Sequence, residues 1–304
     1  MITLLYTIKK PFLPLKRDFF SFFLLLRFLC EKKVVYLHVE ERPSSSFCAM
    51  SEKTYDKTER KIQRLFSRAC AEYRLLEDGD RVLVAVSGGK DSLELLRLMS
   101  RQGKIHKPRI TVEAAHVIMD NIPYETDRSF LQWFCDDLDI TVRLLHTSFD
   151  DTASAEGGVT RHRRKTKCFL CSWYRRKALF EYARDHGFTK VAFGHHQDDF
   201  LVTMLMNMTF EGSLHSISPM MPMRHYPFKV IRPLCLVPES LIATVAKTLC
   251  FERQKTLCPF EKASRREDMT QVFRTLEGMN PEARYSMWRA LEKVSTTSDE
   301  EEDV

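Results

Sequence analysis

Three polar clusters and one cysteine pair carry the residue types that could do chemistry in this chain. The first is Ser87-Gly88-Gly89-Lys90-Asp91-Ser92, which follows the apolar run Val82 to Val86 and leads into a helix-forming stretch. Two glycines let the backbone approach an anion, successive N–H groups point out of such a turn, and the dipole of the following helix favours negative charge. Phosphate is the ligand that this turn fits. It is not a Walker A loop, because Val84-Ala85 stand where that motif has its first glycine and Asp91 follows the lysine in place of Ser or Thr. A plain strand-to-helix turn capped by Asp or Ser would share part of this spelling. A strand before, a helix after and a lysine within favour phosphate.

The second and third clusters are Asp120-Asn121 and Gly194-His195-His196-Gln197-Asp198-Asp199. Asp198 and Asp199 open a helix, so one can cap it while the other reaches Mg²⁺ or a ribose. His195 and His196 could contact phosphate or position a base, and one of them could equally be a satisfied core histidine. Asp120 is a candidate for adenosine contact or for magnesium. Cys168 and Cys171 form the one Cys-x-x-Cys of the chain. A structural zinc site normally needs two close pairs, and Cys235, Cys250 and Cys258 are too scattered to supply the second. Eight Lys/Arg lie within 161–177, an unusual setting for buried structural thiols. In that stretch Arg161, Arg163, Arg164, Lys165, Arg175 and Arg176 surround Trp173 and Tyr174. Basic residues beside aromatics suit an unstacked RNA loop, although such a run taken alone reads as a solvated surface.

These clusters need elements to hold them. Residues 53–76 carry apolar positions at helical spacing and end at Asp78-Gly79-Asp80, a turn signal. Val82 to Val86 is uninterrupted and apolar, as expected of a strand covered on both faces. Further strands are expected at Ile110–Met119, Ile140–His146, Lys190–Gly194 and Val230–Leu236, with helices at 92–99, 125–138, 172–186 and 198–209. This alternation predicts an α/β fold, a doubly wound and mostly parallel sheet with helical flanking segments. In such a sheet ligands bind beyond the carboxyl ends of the strands, where the strand order reverses. All three polar clusters fall at those ends, and no internal repeat is present.

Length and composition agree with a packed globular chain: 304 residues, 44% hydrophobic, 29% charged, 10 Gly and 12 Pro. The net charge of +6 divides into +4 over residues 1–49, about +7 over 50–298 and −5 from the acids Asp299 to Asp303. A basic body fits a polyanionic partner. Nine cysteines without dense, even spacing read as reduced thiols, hence a cytoplasmic protein. Phe19 to Leu29 is apolar but spans 11 residues and contains Arg27, too short for a membrane crossing of about 20. Its basic flank also fits a signal peptide, but a nucleotide site favours a non-native or unstructured extension over 1–49. The remaining divisions are an N-terminal helical segment at 50–78, a nucleotide-binding α/β domain at 79–240 with the cysteine pair as an insert, a C-terminal helical segment at 241–294 and an acidic tail at 295–304 expected to lack structure.

Ser87-Gly88-Gly89-Lys90-Asp91-Ser92 resembles the PP-loop signature of ATP pyrophosphatases, which adenylate a substrate oxygen, release pyrophosphate and displace AMP with a nucleophile. Leu76-Glu77-Asp78-Gly79-Asp80-Arg81, Cys168-Phe169-Leu170-Cys171 with Arg175-Arg176, Gly194 to Asp199, and Ile231-Arg232-Pro233-Leu234 narrow the resemblance to the TtcA type of tRNA 2-thiocytidine synthetase, over about residues 60–290. The resemblance implies ATP on Ser87, Gly88, Gly89, Lys90, Asp91 and Ser92 with Asp120 and His195 nearby, and catalytic roles for Lys90, Asp91, Asp198 and Asp199. It further implies Mg²⁺, a [4Fe–4S] cluster on Cys168, Cys171 and Cys258, and cytidine 32 of tRNA as substrate. Cysteine and proline adjoin at Cys258-Pro259, a common setting for cluster ligands. In this segment Lys255 stands about where family members often carry another cysteine.

The mechanism expected from the resemblance is attack of cytosine O2 on the α-phosphate, followed by displacement of AMP by sulfur carried on the cluster's open iron. A cysteine desulfurase is the expected sulfur donor, the protein is not expected in a membrane, and a homodimer is one assembly the reading allows. Two alternatives keep part of this picture. One is a PP-loop tRNA-modifying enzyme that uses a persulfide on Cys168 or Cys171 without a cluster. The other is a non-catalytic nucleotide-binding iron–sulfur regulator of RNA.

Overall fold

Arg81–Ala85 forms β1, the central strand of a six-stranded sheet in the order β3-β2-β1-β4-β6-β5. The computed structural model describes residues 52–122, 128–149, 167–249, 251 and 265–301, which fall in one unit, Cys48–Val304. Val82, Leu83 and Val84 are all buried, so β1 is covered on both faces as its unbroken apolar run requires. β2 is Thr111–Met119, β3 Val142–Thr147, β4 Lys190–Ala192 and β6 Lys229–Ile231, and all pair in parallel. β5, Met220–Pro222, was not expected from the sequence and adds an antiparallel edge on β6. Its Pro222 suits an edge, where no ladder bond is needed.

Helices cover both faces. α1 (Glu52–Glu72), α2 (Lys90–Gly103), α3 (Arg128–Asp137), α5 (Gln197–Phe210), α6 (Glu239–Thr248), α7 (Arg265–Met279) and α8 (Ala283–Glu301) share one core with Val82, Val84, Ala114, Ala192 and Ile231. On the other face α4 (Lys167–Asp185) packs Leu179, Phe180 and Ala183 against Leu83, Ala115, Val191 and Val230. Chain order runs outward from β1 through β2 to β3, then crosses to β4 on the other side. The strand order therefore reverses between β1 and β4, and the crevice beyond their carboxyl ends is where this topology puts a ligand.

Three expectations change here. The strand expected over Val230–Leu236 stops at Ile231, because Cys235 and Val237 donate to the carbonyls of Arg232 and Leu234 in tight turns. An apolar buried turn reads like a buried strand. The helix expected from 172 begins at Lys167, so both thiols of the Cys-x-x-Cys sit in its opening turns. The acidic residues Asp299 to Glu301 continue α8, the end of a helix anchored by buried Trp288 and Leu291. No described helix is long and apolar enough to cross a membrane.

α2 carries a buried ionic knot that fixes α1. Glu94 is fully buried and accepts from Arg97 Nε at 2.9 Å and Nη2 at 2.6 Å, while Arg97 also clasps Glu59 of α1 at 2.8 and 2.6 Å. Arg101 bonds the same Glu59 carboxylate. Truncating one partner of a buried network strands the others, at about 3–5 kcal/mol. Arg97→Ala should therefore lower the urea midpoint by a corresponding amount, whereas an unchanged midpoint would mean that the knot contributes nothing net.

Candidate functional site

The site begins with the turn between β1 and α2. Gly88 has φ +85°, the left-handed region that a side chain rarely adopts. Gly89 is the residue before the helix, with extended backbone, and no side chain caps the helix start. Ser92 instead braces the turn: its Oγ accepts from Ser87 N–H at 3.1 Å and donates to the Gly89 carbonyl at 2.9 Å. This leaves the first turn of α2 with donors of its own for an anion. Lys90 opens the helix, and its Nζ sits 3.0 Å from both Asp91 carboxylate oxygens and 3.0 Å from Glu239 Oε1 of α6. Burial alone would lower the lysine pKa, but Asp91 and Glu239 outweigh it and raise it, so Lys90 stays charged.

The second wall is the turn between β4 and α5. A Cβ on Gly194 would stand 3.0 Å from the Asp91 carbonyl carbon and oxygen and 3.1 Å from Ser92 N, so the two turns touch backbone to backbone. Gly194→Ala should push them apart by a few tenths of an ångström and lower ATP turnover, by less than the about 100-fold that a full 1 Å of misplacement costs. Wild-type turnover in the variant would mean that the contact is dispensable.

Asp199 accepts from the N–H of His196 at 2.9 Å and bonds Arg266 of α7. Asp198 is held by a two-pronged pair with Arg284 of α8, both contacts at 2.8 Å, and accepts from Glu239 N–H at 2.8 Å. Burial would raise the Asp198 pKa, yet Arg284 and this N–H hold it below the ordinary carboxylate value. Asp199 is the capping carboxylate, and Asp198 is the clamp that joins α5, α6 and α8.

A cavity of about 500 Å³ lies between the two turns and α4. Ser87, Gly89, Asp91, Ser92, His116, Arg175, Arg176, Phe193, Gly194, His195 and Asp199 are among its lining residues. His195 is pushed down to about 4, chiefly by burial, and is neutral near pH 7. His116 was not anticipated. It is 3% exposed, its Nδ1–H donates to the Val86 carbonyl at 2.8 Å, and its buried Nε2 has no hydrogen-bond partner among the described residues. Glu239, Arg266 and Arg284 were also missed, since nothing in local spacing links them to the loops.

Of the expected residues, the structure gathers Ser87, Gly88, Gly89, Lys90, Asp91, Ser92, His195 and Asp199 at one crevice and turns Asp198 toward Arg284. Asp120 stands at the carboxyl end of β2, exposed, and pairs with His146 Nδ1 at 2.8 Å. Arg175 and Arg176 reach the cavity. Arg161, Arg163, Arg164, Lys165, Cys250 and Cys258 lie outside the described residues. Cys168 is exposed, and Cys171 packs beside Met119, Ile122 and Phe149 at the ends of β2 and β3. The two are three residues apart on one helical face, and Arg175 follows a turn later on the cavity wall. That placement of two thiol donors fits a metal cluster completed by a third donor. No group of three or more metal-ligating side chains forms among the described residues. Cys235 is fully buried in the core, where burial pushes its thiol up strongly.

The family model of the PP-loop domain, ATP_bind_3, matches residues 54–254. The tRNA-cytidine(32) 2-sulfurtransferase of Geobacter metallireducens is 32% identical over 244 residues, 79% of this chain and 91% of that protein. The enzyme of the same name from Methylococcus capsulatus is 31% identical over 242 residues, 79% of this chain and 82% of its own. Among solved structures, the U34-tRNA thiolase NcsA from Methanococcus maripaludis with its [4Fe-4S] cluster shares the fold, with a TM-score of 0.62, 24% identity and 79% of each chain covered.

Proposed function

Because the chain belongs to the PP-loop family that contains the tRNA-cytidine(32) 2-sulfurtransferases, we propose that it replaces the 2-oxygen of cytidine 32 in tRNA by sulfur at the expense of ATP. The observation that carries this reading is the crevice itself. An uncapped helix start behind Ser87-Gly88-Gly89 and a thiol-bearing helix, α4, face each other across one cavity.

In this reading the β,γ-phosphates lie on the first turn of α2, where backbone donors and Lys90 offset the charge that develops on pyrophosphate. Lys90 must then turn from Asp91 and Glu239 toward the phosphates. Asp91 and Asp199 are the carboxylates that line the cavity, and Mg²⁺, which commonly takes one or two carboxylates together with phosphate oxygens, would draw Asp91 from Lys90 and Asp199 from Arg266. Cytosine O2 attacks the α-phosphorus and pyrophosphate leaves. C2 then carries AMP as its leaving group, and a sulfur nucleophile forms the C2–S bond while the C2–O bond breaks with release of AMP. Cys168, Cys171 and Cys258 would hold a [4Fe–4S] cluster, which supplies an iron without a protein ligand where sulfur can be carried. The chain's own work is to orient two substrates and to stabilise charge.

The test is tRNA-dependent release of pyrophosphate from ATP. Release of pyrophosphate and AMP with a tRNA that has cytidine at position 32, and none with a uridine variant, is the expected result. ADP as product, or release indifferent to RNA, would overturn it. Changing Arg163, Arg164 and Lys165 together to Ala should weaken tRNA binding and flatten its salt dependence by up to about three phosphate contacts, with ATP binding retained. Wild-type affinity and salt slope would make that stretch a solvated loop.

A further inference from the structure

Arg232 follows β6 by one residue and is 8% exposed. Its Nη1 donates to the Ser218 carbonyl, its Nε has no hydrogen-bond partner, and no carboxylate lies within ion-pair distance among the described residues. A buried guanidinium without an anion is costly, because the desolvation of the charge is not offset. The other buried arginine, Arg97, shows the usual solution, with two carboxylates around it. Arg232 has another cation as its neighbour instead: its pKa falls to about 10, first through burial and then through the charge of Arg176.

The placement of this charge is informative. Val230 packs in the core under α4, so by strand alternation Arg232 falls on the same side of the sheet, toward Arg176 of α4. Arg176 lines the cavity, and so does His195, which feels the charge of Arg232. Arg176 is exposed and has no ion pair among the described residues. One turn before it on α4, Trp173 is 45% exposed with the Lys177 ammonium over its ring. The phosphate turn lies across the cavity and has its own donors. A buried cation on the α4 side of the sheet, an exposed cation on the cavity wall and an exposed aromatic one turn before it match a nucleotide chain whose base enters the cavity while its backbone stays beside α4.

We propose that Arg232 and Arg176 form an anion site that holds a backbone phosphate of the RNA next to the nucleotide in the cavity. The proposal rests on the function proposed above and names the part of the site that takes the RNA backbone. Arginine suits it, because its planar fork can hold two phosphate oxygens at once.

The test compares the full-length wild type with Arg232→Met and Arg232→Lys. Binding of unmodified tRNA is measured without ATP over a salt series, with ATP affinity and thermal unfolding measured in parallel. Arg232→Met should bind tRNA about tenfold more weakly, with a salt slope smaller by about one. Its melting temperature in the absence of ligand should not fall, since a charge without a carboxylate has been removed from the interior. Arg232→Lys should keep the salt slope and lose part of the affinity. Wild-type affinity and slope in both variants, with a lower melting temperature for Arg232→Met, would overturn the site and make Arg232 a structural tie to Ser218. Loss of ATP affinity with tRNA binding intact would also overturn it, by assigning the phosphate to the nucleotide. A wild type that releases pyrophosphate with tRNA in either case leaves the proposed function standing, whereas one that binds no tRNA removes both.

Discussion

Lys90→Ala is expected to reduce conversion of ATP to AMP and pyrophosphate by about 100-fold or more, the scale for removing one preorganised charge from a site of phosphoryl transfer. The lysine is the one side-chain cation in the turn, so the change removes the positive charge that turns toward the phosphates. In the free protein the same change strips Nζ from Asp91 and Glu239, each 3.0 Å away. The fold should survive, because α2 is held by the buried residues Leu93, Leu95, Leu96 and Leu98 rather than by its first residue. Circular dichroism checks this. Pyrophosphate release near the wild-type rate in a folded variant would remove Lys90 from the chemistry. Since burial is outweighed by the two carboxylates, Lys90 stays protonated through neutral pH, and turnover should not fall through its deprotonation as pH rises through the range where free lysine begins to titrate.

The second large effect concerns sulfur. Cys168→Ala and Cys171→Ala should each abolish formation of 2-thiocytidine and lose iron from protein prepared without oxygen, while ATP and tRNA still bind. Cys258→Ala should behave in the same way, and Cys250→Ala should leave both properties intact. Cys235→Ala is a stringent control. This thiol is fully buried beside Leu234 and Leu236, so its loss should affect stability and not iron. Iron and acid-labile sulfide analysis with an absorption spectrum reads each case. A Cys168→Ala protein that keeps its iron would move the cluster elsewhere, and a wild type without iron would favour the persulfide route.

Val82 to Val86 announced β1 because a strand buried on both faces must be apolar throughout, and Gly88 announced the turn because few other residues accept its φ of +85°. The mostly parallel sheet followed from the alternation of elements, while the strand order that puts its reversal between β1 and β4 did not. Residues whose meaning depends on partners distant in the chain stayed hidden. Asp198 and Asp199 read as equivalent in the sequence, and only Arg284 and Arg266, brought in by α8 and α7, separate a clamp from a cap. Glu239 reaches Lys90 from 149 positions further along the chain, and no local pattern encodes such a contact. Arg232 stood in the sequence as part of Ile231-Arg232-Pro233-Leu234, but its lack of a carboxylate is a property of packing. The helix start at Lys167 was missed because a run of Lys and Arg resembles a solvated loop until the apolar side of α4 is seen to pack on the sheet.

The central claim is that this crevice couples ATP cleavage to sulfur insertion at cytidine 32. Its most direct test is nucleoside mass spectrometry of unmodified tRNA incubated without oxygen with the iron-containing protein, ATP and sulfide. The expected result is 2-thiocytidine mapped to position 32, formed with equal amounts of AMP and pyrophosphate and abolished when ATP is omitted. Unmodified cytidine at that position, from a protein that contains iron and binds the tRNA, would contradict it.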